Sequence, residues 1–346
     1  MPHIHILNTT HETASSGYLL SALKYAIITR KGEENTCHIS YFKLGGGVRK
    51  KIVHFFRPNF TRTRATLRCD TLVVHTSVIF SLGHIVLAKL LRKRVVAIFW
   101  DVYPGSFVGV GRGMNLFAQK LYTFLETGLL KVCDKVLLPS TDYQAHAQSI
   151  GLSNTEILPL WPFTVPQKPL TALREPSGDK VLHIGFAGTV NPLRGLPEAI
   201  LNLARSADCH IHMHLFTATA VEIPSDAQPK NLTLTHHGFI NQNVLVETLR
   251  TLDAGLVCLS KAYLEPAFPS KIVSNICSGI PIIYSGPKAL GLSKFLKRHN
   301  VGMTVGNTEH TGLYEAIRSI KHSFTASQKS AITELSLNED KLDKIL

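Results

Sequence analysis

Short apolar runs recur along the whole chain. They alternate with longer stretches whose apolar positions fall three and four residues apart. Runs of the first kind suit strands buried on both faces, and stretches of the second kind suit amphipathic helices. In the first half the pattern predicts strands at Ile4–Leu7, Leu72–His75, Val95–Trp100 and Val136–Pro139. It predicts helices near Tyr18–Thr29, Ile79–Leu91, Met114–Cys133 and Asp142–Ile150. Ser140 and Thr141 can cap the last of these, and Gly151 can end it. In the second half strands are expected at Val181–Ala187, His210–Phe216, Leu232–His236, Ala254–Cys258, Pro281–Tyr284 and Gly302–Thr304, with helices between them. Such alternation builds parallel sheets, so the fold class is α/β.

The pattern stops over residues 159–180, PLWPFTVPQKPLTALREPSGDK, which hold five prolines and no periodicity. It then restarts with a strand and a glycine turn. We therefore expect two similar α/β domains, residues 1–160 and 181–325, joined by a linker over 161–180 and followed by a last segment, 326–346. A length of 346 residues agrees with two domains at about 150 residues each. Two such domains would enclose a cleft, and ligands of parallel sheets sit beyond the carboxyl ends of the strands.

Composition narrows the class. Hydrophobic residues are 45% of the chain and charged residues 18%, which excludes intrinsic disorder. The net charge is +13 and uneven: residues 1–165 carry 19 basic and 9 acidic side chains, residues 166–346 carry 18 and 15. The first half therefore faces an anionic partner more than the second. The six cysteines, Cys37, Cys69, Cys133, Cys209, Cys258 and Cys277, form no CxxC pair, which fits a reducing, cytoplasmic compartment. MPHIHILNTT lacks the basic and apolar regions of a signal peptide. The eighteen uncharged residues between Asp70 and Lys89 could imitate a membrane span, but they contain His75, His84 and Gly83. They read better as strand, turn and helix, ending at the cluster Arg92-Lys93-Arg94.

Two segments carry the chemistry. In HIGFAGTVNPLRGLPEAI, from His183 to Ile200, a strand runs into Gly188-Thr189 and Arg194-Gly195 opens a helix. Glycine lets a backbone approach a ligand, a helix N-terminus attracts phosphate, and arginine offers a fork of donors to it. An ordinary turn with a surface arginine has the same pattern. In EPAFPSKIVSNICSGIPIIYSG, from Glu265 to Gly286, Ser270 is placed to cap a helix that stops at Gly279. Lys271 then falls in the first turn, against the dipole. A bound anion would account for it, as would a tolerated surface lysine.

These two segments, in this order, resemble the C-terminal domain of GT-B glycosyltransferases of the group 1 retaining type. That family has glycine, five residues, then Lys or Arg with Gly, as in Gly188 and Arg194-Gly195 here, and later a small residue, Gly, any residue and Pro, here Ser278-Gly279-Ile280-Pro281. His237-Gly238-Phe239 matches the glycine loop that holds the nucleotide base. Asp101-Val102-Tyr103-Pro104 and Leu158-Pro159-Leu160-Trp161-Pro162 are similar to the branch that builds bacterial O-antigen, capsule and exopolysaccharide. The resemblance implies the GT-B architecture of two Rossmann-like domains, with the donor in the C-terminal one, the acceptor in the N-terminal one, and the last segment packing back on the first domain. It implies sugar transfer from a nucleotide-sugar donor to a lipid-linked or oligosaccharide acceptor, with retention, and neither cofactor nor protein-bound metal. The donor set would comprise Gly188, Thr189, Arg194, Gly238, Phe239, Glu265, Ser270, Lys271 and Ser274. The chain departs from the family in two places. Of the usual glutamate pair, the second position is Ser274 and the first falls on Pro266, beside Glu265; the arginine usual after the first glycine is Thr189. Diphosphate neutralisation would rest on Arg194, Lys271 and helix dipoles. The alternatives are a GT-B nucleotide-sugar epimerase and a basic nucleic-acid-binding protein.

Three features remain. Asp101, after VVAIFW, is the candidate for a base if the reaction inverts, for positioning hydroxyls if it retains, or for capping a turn. The loop His11–Tyr18, with Ser16 and Gly17, is expected on the acceptor side or as a plain strand–helix connection. His210, His212 and His214 share one strand face, which invites a metal reading. No carboxylate or cysteine spacing completes such a site, so they are read as polar sheet-face residues. Finally, residues 43–69 hold eight basic and no acidic side chains. Arg49, Lys50, Lys51 and Arg57 there are interleaved with Phe55 and Phe56. The mixture suits an anionic membrane surface on the inner face of the cell membrane. Nucleic acid or a solvated loop is the alternative, and no nucleic acid partner is expected.

Overall fold

The computed structural model describes residues 3–8, 15–32, 36–41, 60–75, 77–105, 115–162, 180–224, 226–240, 242–260, 263, 266–287, 291–305 and 312–346. The chain divides into two compact units, Met1–Val108 with Arg112–Phe163 and Ser336–Leu346, and Gly109–Gly111 with Thr164–Leu335.

The first unit runs β1 (Ile4–Asn8), α1 (Ser15–Lys31), β2 (Cys37–Tyr41), α2 (Phe60–Arg68), β3 (Thr71–His75), a 3₁₀ turn (Val78–Ser81), α3 (Leu82–Leu90), β4 (Arg94–Ile98), α4 (Leu116–Val132), β5 (Lys135–Leu138), α5 (Thr141–Ser149) and β6 (Thr155–Ile157). Its six strands pair in the order β2-β1-β3-β4-β5-β6, each pair parallel. Central strands β1 and β3 are buried at every position, their polar His5, Asn8, Thr71 and His75 included. The edge strands β2 and β6 do not appear in the apolar pattern. CHISY buries only Cys37 and Ser40, and TEI is half-buried throughout. Helix α2 occupies the end of the basic segment read above as surface. The stretch after Asp70 resolves into β3, the 3₁₀ turn and α3. Among the described residues no helix is long and apolar enough to cross a membrane. Ser140 precedes α5 but makes no side-chain cap bond, whereas Gly151 takes a φ of +76° beyond its end.

A buried carboxylate fixes the chain at the exit of β3. Glu126 of α4, 3% exposed, accepts from Ser77 Oγ, Val78 N and Ile79 N, each at 2.9 Å. It thus satisfies N–H groups that the 3₁₀ turn leaves open. Burial pushes its pKa up, and these three donors oppose the shift.

The second unit runs β7 (Val181–Ala187), a 3₁₀ turn (Pro192–Arg194), α6 (Leu196–Ser206), β8 (His210–Phe216), β9 (Leu232–His236), α7 (Gln242–Leu249), β10 (Ala254–Cys258), α8 (Lys271–Ser278), β11 (Ile282–Ser285), α9 (Gly291–His299), β12 (Gly302–Val305) and α10 (Leu313–Leu335). Its order is β12-β11-β10-β7-β8-β9, again parallel. On one face Leu182, Ile184 and Phe186 of β7 and Ile211, Met213 and Leu215 of β8 bury against Leu196, Ile200 and Leu203 of α6. On α8 every residue from Ile272 to Ser278 is buried. It sits hard on β10, because a Cβ at Gly255 would lie 2.3 Å from Asn275 Oδ1. Helix α10 holds α8 from the other side, Gln328 Nε2 donating to Ile276 O at 2.6 Å. A buried ion pair, Lys321 Nζ to Asp253 Oδ1 at 2.8 Å, ties α10 to the start of β10.

Helix α10 continues unbroken past residue 325, and the change of unit comes at Ser336. The last helix, α11 (Glu339–Asp343), is capped by Asn338. It lies in the first unit, where Asp343 pairs with Arg30 at 2.7 Å and Lys344 Nζ donates to Ile157 O at 2.9 Å.

Replacing Glu126 by Ala should strand three buried donors and cost about 3 kcal/mol, read from urea unfolding. Glu126→Gln keeps an acceptor oxygen and should cost visibly less. Equal losses would show that the charge and second oxygen of the carboxylate, not volume or a single acceptor, are what Glu126 supplies.

Candidate functional site

In the second unit the strand order reverses between β7 and β10, and the carboxyl ends of strands at such a reversal are where parallel sheets bind ligands. Two glycines shape the connection that leaves β7. Gly188 has φ +135° and Gly195 has φ +56°, both in the region that favours glycine. Between them, the Asn191 side chain accepts from Arg194 N at 3.2 Å and closes the 3₁₀ turn. Gly195 lies against the residue that follows β10 by two positions, since a Cβ there would be 3.1 Å from Ser260 Cα. Ser260 N in turn donates to Leu193 O at 2.8 Å. The exits of β7 and β10 are thereby joined.

Lys271, the first residue of α8, reaches into this junction. A Cβ at Gly188 would fall 2.5 Å from both Lys271 Cε and Nζ, so the missing side chain is the space that the ammonium end fills. The Nζ lies 5.5 Å from the centroid of the Phe186 ring. Loss of hydration, with Arg194 nearby, pulls the Lys271 pKa from 10.5 down to about 7, while Cys258 opposes the shift. Burial pushes the Cys258 thiol up to about 12. The buried Arg194 Nε has no hydrogen-bond partner. Among the described residues neither cation has a carboxylate partner. Two such side chains, Lys271 desolvated and Arg194 half-buried, at the carboxyl ends of parallel strands are suited to an anion with several oxygens, such as a diphosphate.

The remaining expected residues fall as follows. Gly188 donates its own N–H to Phe216 O at 3.1 Å, and its missing side chain leaves room for the Lys271 ammonium. Arg194 is the last residue of the 3₁₀ turn, and α6 opens at Leu196 beyond Gly195. Ser270 makes no side-chain cap; its carbonyl takes Val273 N at 3.1 Å and Ser274 N at 3.3 Å instead. Ser274 is 8% exposed within α8, and Thr189 is exposed on the loop. Beyond β9, Gly238 has φ +72° and Phe239 is 74% exposed. Glu265 lies outside the described residues.

In the first unit, Asp101 is half-buried in the bend beyond β4. Ser16 and Gly17 belong to the first turn of α1 rather than to a loop, with Gly17 buried. Arg49, Lys50, Lys51, Phe55, Phe56 and Arg57 lie outside the described residues. The sequence pattern did not single out Ser260 or Cys258, whose roles depend on which strands become neighbours.

No family model matches the chain, and no curated protein matches it. Solved structures do. Sucrose-phosphate synthase from Thermosynechococcus elongatus is 13% identical with a TM-score of 0.65, covering 99% of this chain and 97% of that one. A glycosyltransferase from Rickettsia africae is 12% identical with a TM-score of 0.61 over 99% and 96% of the two chains. The lipopolysaccharide outer core galactosyltransferase WaaB is 12% identical with a TM-score of 0.59 over 99% and 97%. Two parallel six-stranded sheets with their helices, matched over nearly the whole length by these enzymes, give the chain the fold of GT-B glycosyltransferases.

Proposed function

We propose that the chain is a glycosyltransferase that takes a sugar from a nucleoside diphosphate sugar bound in the second unit and passes it to a saccharide acceptor. The observation that carries this reading is the pair Arg194 and Lys271, which have no carboxylate partner among the described residues where β7 and β10 end. In sugar transfer the bond between the anomeric carbon and the phosphate oxygen breaks and its electron pair leaves with the diphosphate. Cations fixed at that oxygen stabilise the transition state more than the ground state. The acceptor hydroxyl forms the new bond to the anomeric carbon, and its proton passes to the leaving phosphate. No strong base on the acceptor is then required, and retention follows. Asp101 is assigned to positioning sugar or acceptor hydroxyls, Phe239 to stacking on the base, Gly238 to its loop, and Glu265, Thr189, Ser270 and Ser274 to the donor's surroundings.

The acceptor side belongs to the first unit, with Ser16 and Gly17 following β1, and we assign it a lipid-linked saccharide used in cell-surface polysaccharide synthesis. The protein would then work as a peripheral protein on the inner face of the cell membrane. Two features of this unit support a bilayer. Helix α4 exposes an apolar face, with Leu116, Phe117 and Phe124 at 75%, 77% and 74% exposure. Beyond its C-terminal end, Asp134 lies in a groove of about 640 Å³ lined by Lys89, Arg92, Lys93 and Arg94. Exposed apolar side chains and cations on one unit match an anionic bilayer, at about 1 kcal/mol per cation near the lipid.

Changing Arg194 or Lys271 to Ala should lower transfer by about 10²-fold. A bound diphosphate restores the proton that Lys271 lacks above pH 7. At pH 8, calorimetry in buffers of different ionisation enthalpy should therefore show proton uptake on nucleoside diphosphate binding. The uptake should fade below pH 6, where the lysine is already charged, and vanish in Lys271→Met. A thermal-shift panel should favour UDP- or GDP-linked sugars over CMP-linked ones, which lack the diphosphate. Near-normal turnover in both alanine variants would remove the pair from the reaction.

Proton NMR of the product made from the preferred donor should show retention at the anomeric carbon. An inverted product together with an inactive Asp101→Asn variant would give Asp101 the role of base instead.

Co-sedimentation with liposomes should require anionic lipid, weaken with salt and fall in two variants, Phe117→Ser with Phe124→Ser, and Arg49, Lys50 and Lys51 changed together to Glu. Binding by both variants equal to wild type would leave the acceptor soluble.

A further inference from the structure

A second cluster of nitrogen atoms lies in the second unit, on the sheet face opposite α6. The parallel register sets His183 of β7 beside His212 of β8, and His214 follows on the same face of β8. One ring nitrogen from each of the three lies within 4.8 Å of the other two. His183 Nδ1 and His214 Nε2 are 3.1 Å apart. The rings of His212 and His214 stack at 4.3 Å, and those of His183 and His212 lie 5.0 Å apart. All three are half-buried, so the cluster is packed yet reachable from solvent.

The outer nitrogens are already held. His214 Nδ1 lies 3.0 Å from His237 Nε2, and His212 Nε2 lies 2.8 Å from Thr235 Oγ1. Each of these bonds can take the N–H of a ring whose other nitrogen is free to coordinate, the arrangement that orients imidazole ligands of metals. His210 stands apart, its Nε2 bonded to Thr233 Oγ1 at 2.9 Å. The geometry points to a divalent transition-metal site, of the kind that takes zinc, formed by His183, His212 and His214, with water in the fourth position. Zinc binds imidazole nitrogen at about 2.0–2.1 Å, so tetrahedral ligands stand about 3.3 Å from one another. The 3.1 Å pair is near that spacing, and the third nitrogen needs only a small ring rotation. Binding uses neutral rings, and the proton now shared by His183 and His214 moves to the outer nitrogen of its ring. Burial, then the neighbouring histidines, pull His214 down to about 4 and His212 below its ordinary value. Asp253 opposes the shift at His214; its carboxylate is occupied by Lys321 at 2.8 Å and by His183 N at 2.9 Å. The ion would pin β7 to β8. Through His237, it would also order the chain entering Gly238 and Phe239.

The test is cobalt titration of the full chain after chelator treatment, read by visible absorption. The expected result is one equivalent of tetrahedral cobalt, displaced by zinc, with a higher melting temperature. His183→Asn and His214→Asn should each abolish the tetrahedral band. His237→Ala should weaken binding about 10-fold, and His210→Asn should leave it unchanged. Melting in chelator shows whether each variant folds. Absence of a one-to-one tetrahedral spectrum in the wild type, or equal loss in His210→Asn, overturns the site whatever the other variants do.

Discussion

The ammonium of Lys271 occupies the space that a side chain at Gly188 would fill, and the site at the end of β7 depends on that fit. Stripping water from a lysine is unfavourable unless a partner replaces it. Here the neighbours are Arg194, a neutral thiol and the face of Phe186. The protein accepts that cost because α8 has little freedom to move. Asn275 is pressed on Gly255, Gln328 holds the backbone at Ile276, and Ile272 to Ser278 are buried throughout. Packing far from the charge thus keeps a cation in a place it would otherwise leave. Strain of this kind stored at a site is what an anionic ligand can release.

The same sheet explains which parts of the sequence were legible. Strands with neighbours on both sides bury most of their residues, and VLHIGFA, AGLVC and IIYS carry apolar runs that read as strands. Strands β2 and β6 sit at sheet edges, where only part of each residue meets the core, so CHISY and TEI carry no such signal. Spacing identified the loop from Gly188 to Arg194 correctly, but not why the glycine is there. What a side chain there would meet is Lys271, 83 positions further on, brought in by the order of the strands. Local pattern can mark a turn as special; only topology says what fills it.

Histidine shows the limit from the other direction. The alternation His210, His212, His214 marked one face of β8, but the rings that gather are those of His183, His212 and His214. His183 belongs to the neighbouring strand and enters through register, while His210 is drawn off to Thr233. Period-two arithmetic ranks residues along a strand and is silent across it.

Charge satisfaction separates the roles of the buried ionic groups. Glu126 is enclosed by three donors, and Asp253 by a lysine and a backbone N–H. Each has the partners its burial requires, so each is explained by the fold alone. Arg194 and Lys271 lie half-buried near one another without a carboxylate partner among the described residues, and Arg194 Nε has no hydrogen-bond partner. We read this pair, at the strand reversal where parallel sheets take ligands, as a place that an anion would complete.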